Sequence, residues 1–222
     1  MALRLVQVNI KARDDQAVGR FWAGLLGWEL SSEGPGVANV EPPDAESLGI
    51  DVVAVPDPES VDYRVHLELA GSAELLDRLG RLSTPRIGDD WADPEGNILR
   101  VVTPLSDTGP IAAVVVDCAD PHRLAAFWDA AVDWTVQGTT DDHVLLRSAR
   151  GVGPFLEFRR ELDPRPTRMH LDVRPYAGDD QAAERSRLIA LGARDADIGQ
   201  GDVPWAVLTD PAGNEFCVLT SG

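Results

Sequence analysis

An internal repeat constrains this chain more than any other feature of its sequence. Three landmarks occur twice in the same order, and the pairs are FWAGLLGW at 21–28 with FWDAAVDW at 127–134, His-Leu-Glu at 66–68 with His-Leu-Asp at 170–172, and Asp-Pro-Glu-Gly-Asn at 93–97 with Asp-Pro-Ala-Gly-Asn at 210–214. Three landmarks at nearly constant offset indicate a duplicated structural unit rather than chance similarity.

Each Phe-Trp segment is typical of the end of an amphipathic helix. In the first copy the apolar positions fall at i, i+3, i+4, i+7 and i+8, which is one face of a helix, and the second copy repeats them. Asp14 is placed to cap the first helix and Gly27 to end it in a left-handed conformation. Short alternating runs separated by Gly and Pro follow each helix and predict strands.

Four βαβββ modules account for the whole chain on this pattern, so the sequence predicts an α+β protein. Linkers are expected at 56–60, 104–110 and 163–167, where proline recurs. The middle linker divides the chain into two predicted domains, residues 1–105 and 109–222, each with two modules.

The composition argues against several classes of function. A net charge of −17 argues against nucleic acid and anionic membrane surfaces, since both need clustered Lys and Arg. Two cysteines without close spacing indicate neither a disulfide framework nor a zinc knuckle. No stretch resembles a signal peptide or reaches membrane-spanning length, so we expect a cytoplasmic protein, monomeric or homodimeric.

The paired modules, the Phe-Trp helix, the His-Leu-Asp strand and the late Asp-Pro-x-Gly-Asn hairpin resemble the vicinal-oxygen-chelate superfamily. That superfamily includes glyoxalase I, bleomycin-resistance proteins and extradiol dioxygenases. The resemblance covers nearly the whole chain, with one copy per half. It implies modules paired into two cup-shaped mixed sheets with helices outside, and a small molecule or a divalent metal inside the cup.

The resemblance also implies which positions carry metal ligands. These positions hold Gln7, Asp51, His66, Arg100, Ala113, Glu157, His170 and Cys217, and a two-residue shift would bring in Glu215. If each half closes on itself, the first four residues form one set and the last four the other. If the modules pair crosswise, Gln7 and Asp51 join His170 and Cys217. The sequence leaves both arrangements open.

From these positions we select candidate site residues. Gln7, His66, His170 and Glu157 are candidate ligands for Zn, Ni, Mg, Mn or Fe. Glu157 and Asp51 are candidate catalytic bases. Trp91, Trp205 and Arg100 are candidate ligand-binding residues. Competing structural roles are a buried His bonded to the carboxylate two residues along, plain turn chemistry for the Asp-Pro-x-Gly-Asn motifs, and a buried hydrophobe for Cys217.

Two functions of different classes follow from the same residues. The first is a small-molecule enzyme with metal-assisted lyase or isomerase chemistry, in which a carboxylate moves a proton and a metal or Arg100 stabilises an enolate-like oxygen. The second is a non-catalytic protein that sequesters a drug or metabolite. Extradiol cleavage needs two histidines and a carboxylate in one cup, which neither arrangement supplies. No nucleotide cofactor is expected.

Overall fold

The computed structural model describes residues 2–44, 47–58, 63–164, 166–198 and 201–221. Parts of two predicted linkers, residues 59, 60 and 165, lie outside these ranges. Within the described residues no helix combines the length and the apolar character that crossing a membrane would need.

Four βαβββ modules follow one another along the chain, as the repeat predicts. The first contains β1 (Arg4–Ala12), α1 (Asp15–Leu26), β2 (Glu29–Gly34), β3 (Val37–Glu41) and β4 (Gly49–Ala54). The second contains β5 (Val65–Ala70), α2 (Ala73–Arg81), β6 (Arg86–Ile87), β7 (Asp90–Ala92) and β8 (Ile98–Val102). The third contains β9 (Ile111–Cys118), α3 (Pro121–Ala131), β10 (Trp134–Thr139), β11 (His143–Ser148) and β12 (Phe155–Arg160). The fourth contains β13 (Met169–Arg174), α4 (Gln181–Leu191), β14 (Arg194–Asp195), β15 (Ala206–Thr209) and β16 (Glu215–Val218). The predicted α+β class is confirmed.

The modules pair crosswise. Strand β1 runs antiparallel to β13, which joins the first module to the fourth, and β5 runs antiparallel to β9, which joins the second to the third. Each pair forms an eight-stranded mixed sheet, and the bridges Val65–Met169 and Tyr63–Thr167 connect the two sheets without closing them. The two arrangements left open by the sequence are thereby reduced to one. The domain boundaries at 1–105 and 109–222 stay a prediction.

Local signals place the helices where the sequence predicts them. Asp14 caps α1 by accepting a hydrogen bond from the Ala17 amide, and Gly27 ends the helix in the left-handed region at φ 75°. The apolar face of each Phe-Trp helix is buried against its own module's sheet, and Trp22 and Trp128 are almost completely buried. The helices therefore cover the outer faces of the sheets and leave the opposite faces for polar side chains.

The Asp-Pro-x-Gly-Asn hairpins connect modules within each half. In the second module Asp93 accepts hydrogen bonds from the Asn97 amide group and, at 3.3 Å, from the indole nitrogen of Trp22 in the first module. In the fourth module Asp210 binds Trp128 of the third in the same way, again at 3.3 Å. Sheets thus join modules crosswise, while the hairpins join them in sequence order, so all four modules interlock.

Candidate functional site

A cavity of about 810 Å³ lies on the inner face of the sheet formed by the first and fourth modules. Strands β1, β3, β4, β13 and β16 supply its walls. The polar residues among those that line it are Arg4, Gln7, Asn9, Lys11, Glu33, Asn39, Glu41, Asp44, Ser47, Asp51, Asp172, Arg174, Cys217 and Thr220, and Trp205 is its one aromatic. The sheet period of two places alternate strand residues on this face.

The amide of Gln7 bridges two carboxylates in the cavity. Its nitrogen Nε2 donates to Asp51 Oδ2 at 2.5 Å and to Asp172 Oδ2 at 3.0 Å. Asn39 donates to the other oxygen of Asp51 at 2.8 Å, and Asn9 reaches Asp172 Oδ2 at 3.4 Å. Neutral amides therefore hold the two acids, and no Lys or Arg side chain of the described residues forms an ion pair with either.

The two carboxylates differ in acidity. Burial raises the pKa of Asp51 to about 6, and the nearby Asp172 carboxylate adds to the rise while the amides of Asn39 and Gln7 oppose it. Burial also favours neutral Asp172, but the charge and hydrogen bonding of His170 outweigh this and hold the pKa of Asp172 below its ordinary value. Asp172 is therefore the permanent anion of the pair, and Asp51 is the acid that titrates nearer neutral pH.

Three potential ligand atoms converge beside these acids. His170 Nε2 lies 3.2 Å from Asp172 Oδ1 and 3.4 Å from Cys217 Sγ, and all three residues are buried. Ligands about 2.0–2.3 Å from a tetrahedral zinc ion lie about 3.3–3.8 Å from each other, so these separations suit such a site. Apart from His170 Nε2 at 3.2 Å, no hydrogen-bond donor of the described residues reaches Asp172 Oδ1, and His170 Nδ1 has no hydrogen-bond partner among them. A buried nitrogen, oxygen and sulfur atom that lie this close together are a set that fits a divalent metal.

The same geometry disfavours a nucleophilic cysteine. In a Cys-His-Asp relay the acid binds one ring nitrogen and the thiol the other, whereas here both contact His170 Nε2. Burial raises the pKa of Cys217 well above its ordinary range, and the Asp172 charge adds to this. Without a cation Cys217 is a thiol, and metal binding would displace its proton.

Tyr63, at the start of the second module, packs against His170. Its ring meets the imidazole edge-on at 5.3 Å between centroids, and its hydroxyl donates to Glu215 at 2.5 Å. Glu215 is therefore held by Tyr63, and Cys217 is the β16 residue that contacts His170.

In the other sheet an arginine contacts the matching histidine. His66 Nε2 lies 3.1 Å from the Arg100 guanidinium, and His66 Nδ1 lies 3.4 Å from Asp117. Arg100 also binds Asp90 at 3.2 Å. Arg100 thus occupies one ring nitrogen of His66 from the position that Cys217 holds in the cavity-bearing sheet.

Glu157 is also paired. Arg159 donates to Glu157 at 2.8 Å and to Glu68 at 2.9 Å, so one guanidinium neutralises both acids. Beside them Ala113, Val115 and Phe155 form a small apolar cluster.

The structure therefore divides the candidate residues between two places. Gln7, Asp51 and Trp205 line the cavity, and His170 contacts two other lining residues, Asp172 and Cys217. His66, Arg100 and Glu157 lie on the other sheet. Trp91 packs against the core, with Arg86 stacked 4.4 Å above its ring.

Several cavity residues were not among the sequence candidates. The sequence pattern indicates Asp172 only as a hydrogen-bond partner of His170. It does not indicate Asn9, Asn39, Arg4 or Arg174. Asn9 could have been found, because it lies two residues from Gln7 on a strand and so shares its face.

Comparison with known proteins agrees with this architecture. A family model described as "Glyoxalase-like domain" matches residues 7–102 and 113–219. Glyoxalase I from Zea mays is similar in structure, with TM-score 0.71, 12% identity and coverage of 99% of this chain and 92% of that chain. A proposed dioxygenase from Bacillus subtilis gives TM-score 0.65 and 15% identity, covering 99% of this chain and 86% of that chain. A search of curated proteins finds no match.

The chain belongs to the glyoxalase-like domain family, since the family model covers most of it in two copies. The resemblance to the vicinal-oxygen-chelate superfamily is confirmed. At these identities the structural similarity shows the fold alone, and activity has to be argued from the site.

Proposed function

We propose that this protein is a small-molecule enzyme of the glyoxalase type that carries out metal-assisted proton transfer in the cavity of the first and fourth modules. The observation that carries this proposal is that Asp51, Asp172 and Cys217 line one cavity and that His170 contacts Asp172 and Cys217 beside it. We further expect the protein to act in the cytoplasm as a monomer or homodimer.

His170, Asp172 and Cys217 would hold the metal. When bound there, a divalent ion supplies Lewis-acid polarisation of a substrate oxygen. The sulfur ligand favours zinc, or iron in its place, over magnesium, because thiolates are soft ligands. Gln7 presents its amide nitrogen to the two acids, so in this arrangement it positions Asp51 and Asp172 rather than ligating.

Asp51 would be the general base. It lines the cavity, carries no cationic partner and is oriented by Asn39 and Gln7, so its carboxylate can accept a proton from a carbon next to a substrate carbonyl. Asp172 and the buried sheet beneath it exclude water from one side of this group. The half-exposed Trp205 stands at the cavity as an apolar wall for the substrate.

Metal binding tests the first part of the proposal with a matched pair of variants. We expect stoichiometric metal in protein purified without chelator, its loss in His170→Ala and its retention in His66→Ala, because His66 is the equivalent residue in the other sheet. Circular dichroism of the metal-free proteins would check folding. Metal retained by His170→Ala, or absent from the wild type even after titration with Zn²⁺, would overturn the proposal.

Cobalt gives a second readout that does not depend on purification. Co²⁺ added to the metal-free protein should produce a thiolate charge-transfer band, and Cys217→Ser should remove the band while Cys118→Ser keeps it. Cys118 is the matched control because it is the other buried cysteine and lies outside the three-residue cluster. A band that survives in Cys217→Ser would exclude Cys217 as a ligand.

The alternative is non-catalytic sequestration of a small molecule. Five acidic side chains line the cavity together with Trp205, an arrangement that suits a cationic aromatic compound. Solvent-deuterium exchange into small 2-oxo compounds, followed by NMR, separates the two functions. Exchange that disappears in Asp51→Asn supports catalysis, whereas ligand binding without exchange or turnover supports sequestration.

A further inference from the structure

Two arginines face each other across the first strand pair of the cavity-bearing sheet. Arg4 of β1 is the register partner of Arg174 of β13, and both line the cavity. Like charges directly opposite each other on neighbouring strands destabilise a sheet. This arrangement is therefore costly unless a negative group lies between them.

A β-bulge brings Arg4 to this face. The register between β1 and β13 shifts between Leu5 and Gln7, so Val6 is an extra residue. In a regular strand Arg4 and Gln7, three residues apart, would point to opposite faces, but with the bulge both line the cavity. The strand irregularity thus adds a cation to the site.

The two guanidinium groups also lack acidic partners. Eight other arginines in the described part of the chain form ion pairs with Asp or Glu, as expected where 37 acidic residues outnumber 20 basic ones. Arg4 and Arg174 form none within those ranges, and their Nε atoms are buried without a hydrogen bond. Arg4 only stacks over the Tyr176 ring, 5.3 Å from its centroid.

The other sheet shows that the fold does not require this pair. It contains the same bulge, since β5 and β9 shift register between Glu68 and Leu69. By the repeat, Pro110 stands at the position of Arg4 and Ala70 at that of Arg174, and the Ala70 amide donates to the Pro110 carbonyl at 2.9 Å. Both sheets therefore have the bulge, but only the cavity-bearing sheet has arginines at these two positions.

We propose that Arg4 and Arg174 bind an anionic oxygen group of the substrate, a carboxylate or a phosphate, so that the ligand of this cavity is a small organic anion. Guanidinium groups match both anions through paired N–H donors. Arg174 lies one two-residue step from Asp172 on the same strand face, about 7 Å along the strand. A ligand held there by its anionic end would place its next few atoms over Asp51 and Asp172. This inference rests on the proposed function for the role of the cavity as the substrate site.

Calorimetric titration of metal-free protein with three simple probes tests the proposal. The probes are acetate, inorganic phosphate and neutral acetamide, with EDTA present so that no metal contributes to binding. We expect binding of acetate or phosphate but not of acetamide, and the stronger of the two anions identifies the group. Arg4→Gln and Arg174→Gln should each lose affinity about tenfold or more, since a charge-assisted hydrogen bond contributes roughly that much.

Arg20→Gln is the matched control. Arg20 is exposed on α1 and does not line the cavity. Its substitution by Gln removes the same positive charge as the two cavity variants do. Unchanged affinity in Arg20→Gln together with loss in both cavity variants supports the site. Equal loss in all three variants, or no anion binding by the wild type, overturns it.

Stability provides a readout that a purely structural arginine would not give. Because the two cations repel each other in the free protein, Arg174→Gln should raise the melting temperature without anion and remove the stabilisation that anion gives the wild type. A lower melting temperature with unchanged anion affinity would overturn the proposal. Wild-type protein that binds the anion but takes up no metal even after titration with Zn²⁺ would leave this inference standing while the metal proposal fails.

Discussion

The two eight-stranded sheets share strand order, side-chain caps at the N-termini of their helices and the position of a β-bulge, yet the charged residues on their inner faces are paired differently. In the sheet of the second and third modules, Arg100 contacts His66 and Arg159 neutralises both Glu68 and Glu157. In the sheet of the first and fourth modules, the corresponding acids Asp51 and Asp172 accept hydrogen bonds from amides, and Asp172 also contacts His170. Cys217 takes the place of Arg100 and contacts His170. In one sheet arginine side chains pair with the buried acids, whereas in the other no Lys or Arg of the described residues forms an ion pair with Asp51 or Asp172.

This difference shows two ways in which the same scaffold can compensate buried acids. Buried acids are costly unless a positive charge compensates them. A guanidinium supplies that compensation permanently and fills the space, whereas amides leave the charge available to a metal or a substrate. A few inward-facing residues therefore determine whether the acids of a sheet are paired with arginine or with amides, while strand order stays the same.

The largest expected effect comes from placing an arginine in the cavity at Cys217, the position that matches Arg100 of the other sheet. Cys217→Arg should lower metal affinity at least about 100-fold, because it removes a ligand and puts a fixed positive charge in its place. Thermal denaturation should show a folded protein, since Arg100 is accommodated at the matching position. Isothermal titration with Zn²⁺ measures the effect, and undiminished affinity would contradict the difference we draw between the sheets.

The matching carboxylates Asp51 and Glu157 should respond to neutralisation with opposite signs. The pKa of Asp51 lies at about 6 in the folded protein against 3.8 as its ordinary value, so the folded state binds more protons between about pH 4 and pH 6. Stability of the metal-free protein should therefore fall by about 2–3 kcal/mol as pH rises through that window. Asp51→Asn should remove this loss and stabilise the protein at pH 7.

Glu157→Gln should instead destabilise by about 1 kcal/mol, because Arg159 loses one of its two charged partners. Urea denaturation between pH 4 and pH 7 would measure both variants. Destabilisation by Asp51→Asn at neutral pH would show that its amide contacts compensate the buried charge after all.

The interlock of hairpin and helix should be equally strong in both halves. Trp22→Phe and Trp128→Phe each remove an indole donor from a buried aspartate and leave a small void, at a cost of about 2 kcal/mol. Trp205→Phe, at a half-exposed position, serves as the control with a change below about 0.5 kcal/mol. Clearly different losses in the free energy of unfolding of the two variants, measured by urea denaturation, would contradict the equivalence of the two contacts.

The smallest expected effect concerns the variable residue of the Asp-Pro-x-Gly-Asn motif. Glu95 accepts hydrogen bonds from the backbone amides of Arg13 and Asp14 and from Arg168, while the second copy has Ala212 in its place. Glu95→Ala should cost about 1 kcal/mol in the free energy of unfolding. The exposed Glu74→Ala is the control, and an equal effect there would assign the loss to general surface charge.

Short-range patterns explain how much of this could be predicted. The helices follow from apolar spacing and from caps such as Asp14 and Gly27, which act within one or two turns. The tandem modules follow from the repeat, and the candidates Gln7, Asp51 and His170 follow from the family pattern. Asp172 was missed as a site residue because only the crosswise register shows that it, and not His170, lies within hydrogen-bonding distance of Gln7.

The sequence by itself determined the number of modules and the order of helix and strands within each, since periodicity and capping are local properties of the chain. Only the tertiary structure decided that the first module pairs with the fourth, that the bulge at Val6 turns Arg4 into the cavity, and that Arg159 closes the other face. The physical reason is that strand pairing and register join residues far apart in the chain, and alternation along a strand does not specify its partner.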